Sequence, residues 1–406
     1  MKIKLHWQMI ISMVLGFIFA LLYPSGAIKF IPMGEIFIRL LKMIIVPLVF
    51  TSIVLGISRV ANNSGFSRLG IKTLSYYLFS SLFAIIIGLG LINMVNPGKN
   101  ANILPDKAYD SSHLQTNSEW YEILIRMIPD NPIYAAASGD MLAIIFFALI
   151  FGFSISRVNT DSSKSIFRVI EGIYDVIIYI TGSIIKLAPL GVFGLVIKAV
   201  SKSGFELFHS IGLYMLTIMG GLLIHLLIVL PIIFYLFTRI SPLVHFRSIS
   251  NAMLMAFSTS SSSATLPVTL DCLKNNVKVP KSVSSFVAPL GSTVNMDGTA
   301  LYECAGALFI AQVLGIDLTL GQQITVVFTA LLASIGAAGI PSAGLVMIYI
   351  VLESVGLGSY SGVDLIVGTM LAVDRPLDML RTMVNVTSDT VGTAIIANSE
   401  NHELYN

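Results

Sequence analysis

Asp374, Asp378, Arg381, Asn385 and Asp389 follow one another at spacings of 4, 3, 4 and 4 in a segment that is otherwise rich in apolar residues. At about 100° per residue, all five fall within an arc of about 80° on one helical face. That face runs about 22 Å at about 1.5 Å per residue. The surroundings are set by composition: 406 residues that are 55% hydrophobic and 11% charged, with a mean hydropathy of +0.86. Such a chain cannot close as a water-soluble globule without exposing large apolar areas, so it reads as an integral membrane protein. Each charge at the centre of a bilayer costs about 2.5–3.5 kcal/mol, and four together cost on the order of 10 kcal/mol unless paired or wet. The face therefore cannot meet lipid. It lines a site, or it is a structural salt-bridge helix.

Apolar runs near the roughly 18 residues needed to cross a bilayer include Leu5–Tyr23, Leu74–Val95 and Ile211–Phe237. The first follows Lys2 and Lys4 and precedes Ser25-Gly26-Ala27. It has the outline of a cleaved signal, but in so hydrophobic a chain it is read as a retained span. Cys272 and Cys304 are too few for a disulfide framework or a metal cage. The net charge of +2 gives no reason to expect a nucleic-acid partner. Basic residues gather at Arg59, Arg68 and Lys72, at Arg157, Lys164 and Arg168, at Arg239 and Arg247, and at Lys274, Lys278 and Lys281. Cytoplasmic loops carry such excess, so these loops are placed inside together with the N-terminus, and the acidic stretch 96–132 outside.

That orientation puts the loops at Arg247 and Lys274 on the same side, with only about 25 mostly uncharged residues between them. A re-entrant hairpin satisfies this: Phe246–Phe257 descends, the hydroxyl row of STSSSSATLP (258–267) forms the tip, and Leu266–Leu273 returns with Pro267 near its start. Non-helical backbone at membrane depth survives only where it is buried in protein or lines a wet cavity. A solvated serine linker between two spans is the plain alternative. SIGAAGIPSAG (334–344) interrupts a second apolar stretch in the same way, with tight helix packing as its plain alternative. Each tip precedes an apolar segment with polar residues at its middle, Asn295 to Thr299 and then Asp374 to Asp389. Hairpin then polar helix, twice, is the layout of an inverted repeat with a midplane site.

A ligand suited to one guanidinium, several carboxylates, amides, hydroxyls and two backbone tips is an amino acid with an acidic side chain. Arg381 can hold a side-chain carboxylate bidentately. Asp378, one turn earlier, suits the ammonium. Asn385 and the amides of the serine tip suit the α-carboxylate. Asp297, Asp389, Asn295 and tip carbonyls are hard oxygen ligands fit for a small cation such as sodium. No redox metal and no organic cofactor is implied.

At these residues the sequence resembles the dicarboxylate/amino acid:cation symporters, the glutamate/aspartate transporter family. SSSATLPVT, NMDGTALY, SIGAAGIPSAG and DMLRTMVNVTSD occur in the family's order, with similarity from Leu5 to Ala397. The resemblance implies an all-α integral membrane fold of eight transmembrane helices plus two re-entrant helical hairpins with inverted repeats, assembled as a homotrimer that works as an elevator. Residues 1–66 and 132–203 would be trimerisation scaffold, and 99–131 an extracellular loop. Residues 67–98, the third span, and 204–406, from the sixth span to the eighth, would be the mobile transport domain.

By the same resemblance, Ser260, Ser262, Thr299, Ile340, Gly344, Asp378, Arg381, Thr382 and Asn385 would contact substrate. One cation site would use Gly291, Asn295, Asn385 and Asp389. Another would use Thr293, Met296, Ser334, Ile335 and Ala337. A third would join Asn295 and Asp297 to Tyr77, Ser80 and Ser81, which otherwise read as interfacial aromatics and helix hydroxyls. Within the family, neutral amino acid carriers lack an arginine at the position of Arg381. Carriers of dicarboxylates without an amino group lack the acid at the position of Asp378, and proton-coupled relatives often lose the one at Asp389. Holding all three implies import of aspartate or glutamate with sodium across the cell (inner) membrane, both termini being cytoplasmic. Proton coupling or C4-dicarboxylate transport is the alternative.

Two departures are visible. Ser260 stands where archaeal members place a second arginine and Met379 where animal members do, while Arg375 lies at the edge of the polar face. Two other classes compete. A membrane serine hydrolase would draw on Ser138 with His209 or His225 as base, and a cation channel would use the carboxylates as a ring without needing Arg381.

Overall fold

The computed structural model describes residues 5–62, 68–99, 125, 127–158, 160–203, 206–336, 343–358, 360 and 362–405. Among them, regular structure is helical and no strand occurs. The first half comprises α1 (Leu5–Leu22), α2 (Ile31–Asn62), α3 (Arg68–Val95), α4 (Pro132–Ser138), α5 (Met141–Arg157), α6 (Asp161–Ile185) and α7 (Ala188–Ser203). α8 runs from Glu206–Ile224 through a π turn at His225–Val229 into Leu230–Thr238. It is followed by α9 (Pro242–Ser248), α10 (Ser250–Thr259), α11 (Ser262–Asp271), α12 (Lys281–Val294), α13 (Asp297–Val313), α14 (Leu320–Gly336), α15 (Ala343–Ser354) and α16 (Val363–Ser399).

Among the described residues, three stretches are long and apolar enough to cross a membrane: Pro24–Ser58 with 35 residues, Arg68–Val95 with 28 and His209–Thr238 with 30. A fourth is obtained if the pair Asp161–Ile185 and Ala188–Ser201, bent by 54°, is one span. The polarity of the molecule is inverted relative to a soluble protein. Val169, Val176 and Tyr179 of α6, and Leu227, Ile232, Leu236 and Phe237 of α8, are exposed. Asp297, Glu303, Asp374, Asp378, Arg381 and Asp389 are buried. An apolar exterior around an interior of ionisable groups is stable only in lipid.

α2 packs against α5, α6 and α7, and α1 covers α7. α3 lies against α13 and α8. α16 runs through the middle of the second group, touching α7, α8, α10, α12 and α13. Ser52 Oγ of α2 donates to the Gly336 carbonyl at 2.6 Å, and Lys42 Nζ pairs with Asp364 Oδ1 at 2.7 Å, so the two groups also meet directly.

α10 and α11 form a packed helical pair. Its turn is shorter than the serine run suggests. Ser258 and Thr259 finish α10, Ser260 caps it in the left-handed region at φ 52°, and Ser261 caps α11 by accepting from the Ala264 amide at 3.2 Å. The row is thus helical on both sides of a two-residue turn, because serine hydroxyls can serve as helix caps. Pro267 is not near the start of its helix but in the interior, where it withdraws a donor from the Ser263 carbonyl. α14 and α15 pack as a second pair, but residues 337–342 of its tip, with the expected site residues Ala337 and Ile340, lie outside the described residues.

Candidate substrate and cation site

Where a single span would run through, α12 stops at Val294 and α13 starts at Asp297. Asn295 between them is extended at φ −96° and ψ 91°. A break of this kind leaves carbonyls at the end of α12 and amides at the start of α13 without intrahelical partners. α16 passes alongside, and all five members of its polar row are buried.

Arg381 is the centre of the first cluster. Its Nη2 donates to Asp378 Oδ1 at 2.6 Å and its Nη1 to Asp374 Oδ1 at 3.3 Å, while its guanidinium lies 4.0 Å from the Tyr302 ring centroid. Asp378 Oδ2 also accepts from Arg375 at 3.2 Å. A side chain added at Gly344 would place its Cβ 3.2 Å from the guanidinium carbon, so the start of α15 closes over Arg381. One turn on, Asn385 accepts from the Gly298 amide at 2.7 Å and donates to Thr299 Oγ1 at 3.1 Å and to Met296 Sδ at 3.4 Å. Thr382 Oγ1 turns back to the Asp378 carbonyl at 2.8 Å.

The second cluster is built around the break. Asn295 Nδ2 donates to Asp389 Oδ1 at 2.9 Å and to Ser388 Oγ at 3.0 Å. Ser80 Oγ reaches Asn295 Oδ1 at 3.4 Å and Asp297 Oδ1 at 3.1 Å, and Ser81 Oγ reaches Asp297 Oδ1 at 2.7 Å. Tyr77 donates to the Val287 carbonyl at 2.7 Å. Gly291 is what lets Asp389 and Tyr77 approach: a Cβ there would stand 2.5 Å from Asp389 Oδ1 and 2.8 Å from the Tyr77 hydroxyl. The fold therefore gathers Tyr77, Ser80, Ser81, Gly291, Asn295, Asp297 and Asp389 from α3, α12, α13 and α16.

Other expected site residues are not tied in by hydrogen bonds. Ser260 and Ser262 are buried in the first helical pair, and the Ser260 hydroxyl has no hydrogen-bond partner among the described residues. Thr293 and Ser334 bond back to carbonyls of their own helices, Leu290 at 3.0 Å and Leu331 at 2.9 Å, and Ile335 is half-buried.

Some residues of the site were not singled out from sequence. Glu303, six positions beyond Asp297, is fully buried with neither carboxyl oxygen bonded among the described residues. The cost argument applied to Asp374 would have flagged it, since it too is a carboxyl group in an apolar helix. His225 is bonded to Asp297, Nε2 to Oδ2 at 3.0 Å. From sequence it entered only as one of two bases for a hydrolase built on Ser138, and Ser138 is exposed and donates to the Tyr134 carbonyl at 2.9 Å. Among the described residues, the buried carboxyl groups of this region number five, Asp297, Glu303, Asp374, Asp378 and Asp389, against one buried guanidinium, Arg381.

The sequence matches the model of the sodium:dicarboxylate symporter family over residues 5–399. It is 33% identical over 408 residues to a proton/sodium-glutamate symport protein of Geobacillus stearothermophilus, covering 98% of this chain and 95% of that one. A proton/sodium-glutamate symport protein of Bacillus subtilis (strain 168) is 33% identical over 98% of this chain and 93% of its own. Excitatory amino acid transporter 3 of Homo sapiens is 34% identical over 91% of this chain and 79% of its own. With a match that extends through both polar clusters, the chain belongs to the sodium:dicarboxylate symporter family, a family of membrane transporters.

Proposed function

We propose that the protein is a secondary active symporter that imports an acidic amino acid, aspartate and/or glutamate, coupled to sodium ions. The observation that carries this reading is the excess of buried carboxyl groups over guanidinium beside a broken span. Such an excess is relieved when small cations enter with the substrate, so each raises the affinity of the site for the other, and by equal factors. Relatives named as glutamate symporters and excitatory amino acid transporters support the substrate class.

The pairing around Arg381 suggests how substrate enters. The guanidinium of Arg381 rests on Asp374 and Asp378, so no bare charge is buried. A substrate side-chain carboxylate takes the place of Asp378 on Arg381, and Asp378 is freed to accept from the substrate ammonium. One ion pair is exchanged for two. Asn385, Thr299 and Thr382 lie next along the row for the α-carboxylate, with the amides of the Ser260–Ser262 turn, Ile340 and Gly344 completing the enclosure. Sodium ions are co-substrates at three places: Gly291, Asn295, Asn385 and Asp389; Thr293, Met296, Ser334, Ile335 and Ala337; and Asn295, Asp297, Tyr77, Ser80 and Ser81.

The wider organisation is part of the same reading. Eight spans and two re-entrant hairpins, α10–α11 and α14–α15, form a homotrimer in the cell membrane with both termini cytoplasmic. Residues 67–98 and 204–406 move as an elevator past a scaffold of residues 1–66 and 132–203, and residues 99–131 form an extracellular loop. The proton-coupled alternative draws on Glu303, whose unbonded carboxyl group has the features of a proton carrier. Proteoliposome uptake decides among these readings. Concentrative uptake of radiolabelled aspartate or glutamate with inward sodium, absent with choline, supports the proposal. Uptake that follows a proton gradient in choline buffer favours the alternative, and current without stoichiometric amino acid movement favours a channel.

A further inference from the structure

We infer that His225 is a positioning residue for the cation site at Asp297, a role that rests on reading Asp297 as a cation ligand. Asp297 is the first residue of α13 and is fully buried. Its two oxygens are held from different helices. Oδ1 accepts from Ser81 at 2.7 Å and Ser80 at 3.1 Å, both on α3, and Oδ2 faces His225 Nε2 at 3.0 Å on α8. The terminal torsion of aspartate is soft and broad, so hydroxyls on one oxygen alone leave the carboxylate plane free to turn. A bond on the second oxygen fixes the plane, which a cation site needs held within about 10–20°.

Two features of His225 fit this role better than that of a packing residue. It opens the π turn His225–Val229, where the helix widens so that both His225 and its neighbour Leu226 are buried, at 0% and 2% exposure. π turns inside α-helices frequently mark functional positions. Moreover, Asp297 is the one hydrogen-bond partner of the ring, since Nδ1 has none among the described residues. A buried imidazole with one bare nitrogen is a poor device for joining two helices. A neutral imidazole with its proton on Nε2 donates to Asp297 without cancelling its charge, which an arginine or lysine in that place would do. Partners that orient a ligand in this way govern metal affinity without touching the ion.

The test compares purified full-length His225→Leu, His225→Gln and Asp297→Asn with wild type. Sodium is titrated without amino acid, and affinity is read from calorimetry and from the sodium-dependent rise in melting temperature. His225→Leu fills the volume without a donor and is expected to weaken sodium binding at least about tenfold, with the sodium-free melting temperature close to wild type. His225→Gln keeps an N–H donor and is expected to restore affinity to within about threefold. If His225→Leu yields no folded protein, His225→Asn, whose amide is too short to reach, takes its place in the comparison. Unchanged sodium affinity in the donorless variant, with Asp297→Asn impaired, overturns the role of His225 alone. Equal loss in His225→Gln and His225→Leu overturns it as well, because shape and not the donor then matters. Unchanged affinity in Asp297→Asn removes the cation site at Asp297 and the inference with it.

Discussion

Gly291→Ala places one methyl group where the cation site has no room. The added Cβ would lie 2.5 Å from Asp389 Oδ1, about 0.9 Å closer than the 3.4 Å at which ordinary contact begins, and 2.8 Å from the Tyr77 hydroxyl. Asp389 has to withdraw by most of that distance. Its bond from Asn295 Nδ2, now 2.9 Å, is then stretched beyond hydrogen-bonding range. A hydrogen bond to a charged group is worth about 1.5–3 kcal/mol, which converts to a loss of roughly 10- to 100-fold in sodium affinity. Global unfolding is not expected. Gly291 lies inside α12, where alanine is preferred over glycine by about 1 kcal/mol, so the backbone gains while the site loses. The assay is the sodium dependence of radiolabelled aspartate uptake in proteoliposomes, with sodium titration of the purified protein beside it. The half-saturating sodium concentration should rise at least about tenfold at unchanged melting temperature in sodium-free buffer. A midpoint within about twofold of wild type would show that Asp389 takes no part in binding the cation, and the assignment would fail.

Arg381→Cys removes the group proposed to hold the substrate side-chain carboxylate and should shift uptake toward neutral amino acids; retained preference for acidic substrates in competition assays refutes that role. Asp389→Asn should weaken the sodium dependence of uptake by a factor comparable to Gly291→Ala, and equal activation by sodium in mutant and wild type counts against it. His245, in α9, is stacked on Phe234 at 4.6 Å and bonded to the Tyr405 hydroxyl at 2.6 Å and to Thr390 Oγ1 at 3.2 Å. Burial pushes its pKa from the usual 6.5 down to about 3. The unfolded chain therefore binds the proton first: stability is full above about pH 6.5 and falls as pH drops toward 3, by about 2 kcal/mol at pH 5. Melting in detergent at pH 7.5 and pH 5 should show this loss, and His245→Gln should flatten it. Glu400, bonded by Arg68 and Lys72, is pushed down to about 2, so Glu400→Gln should lower the melting temperature slightly at pH 7 and less in high salt. An equal change at both salt concentrations would argue against an electrostatic origin.

The sequence by itself determined that this chain lives in a bilayer, that α16 carries one ionised face and that this face lies inside. Hydropathy and a helical period are local properties, and the cost of charge in lipid does not depend on which partners are found. The polar residues Asn295 to Thr299 in the middle of an apolar run were also legible, but that the helix breaks at Asn295 was not. Only the tertiary structure decided which oxygens meet. That Asn295 bonds Asp389, that Ser80 and Ser81 reach Asp297, and that Gly291 makes room for Asp389 are contacts between residues roughly 100 to 220 positions apart. No spacing rule encodes such contacts. The structure likewise shortened the serine turn to two residues, because capping is settled by backbone geometry and not by composition. It also brought His225 to Asp297, since a single histidine in an apolar span has no periodic signature and acquires its meaning from the helix packed against it.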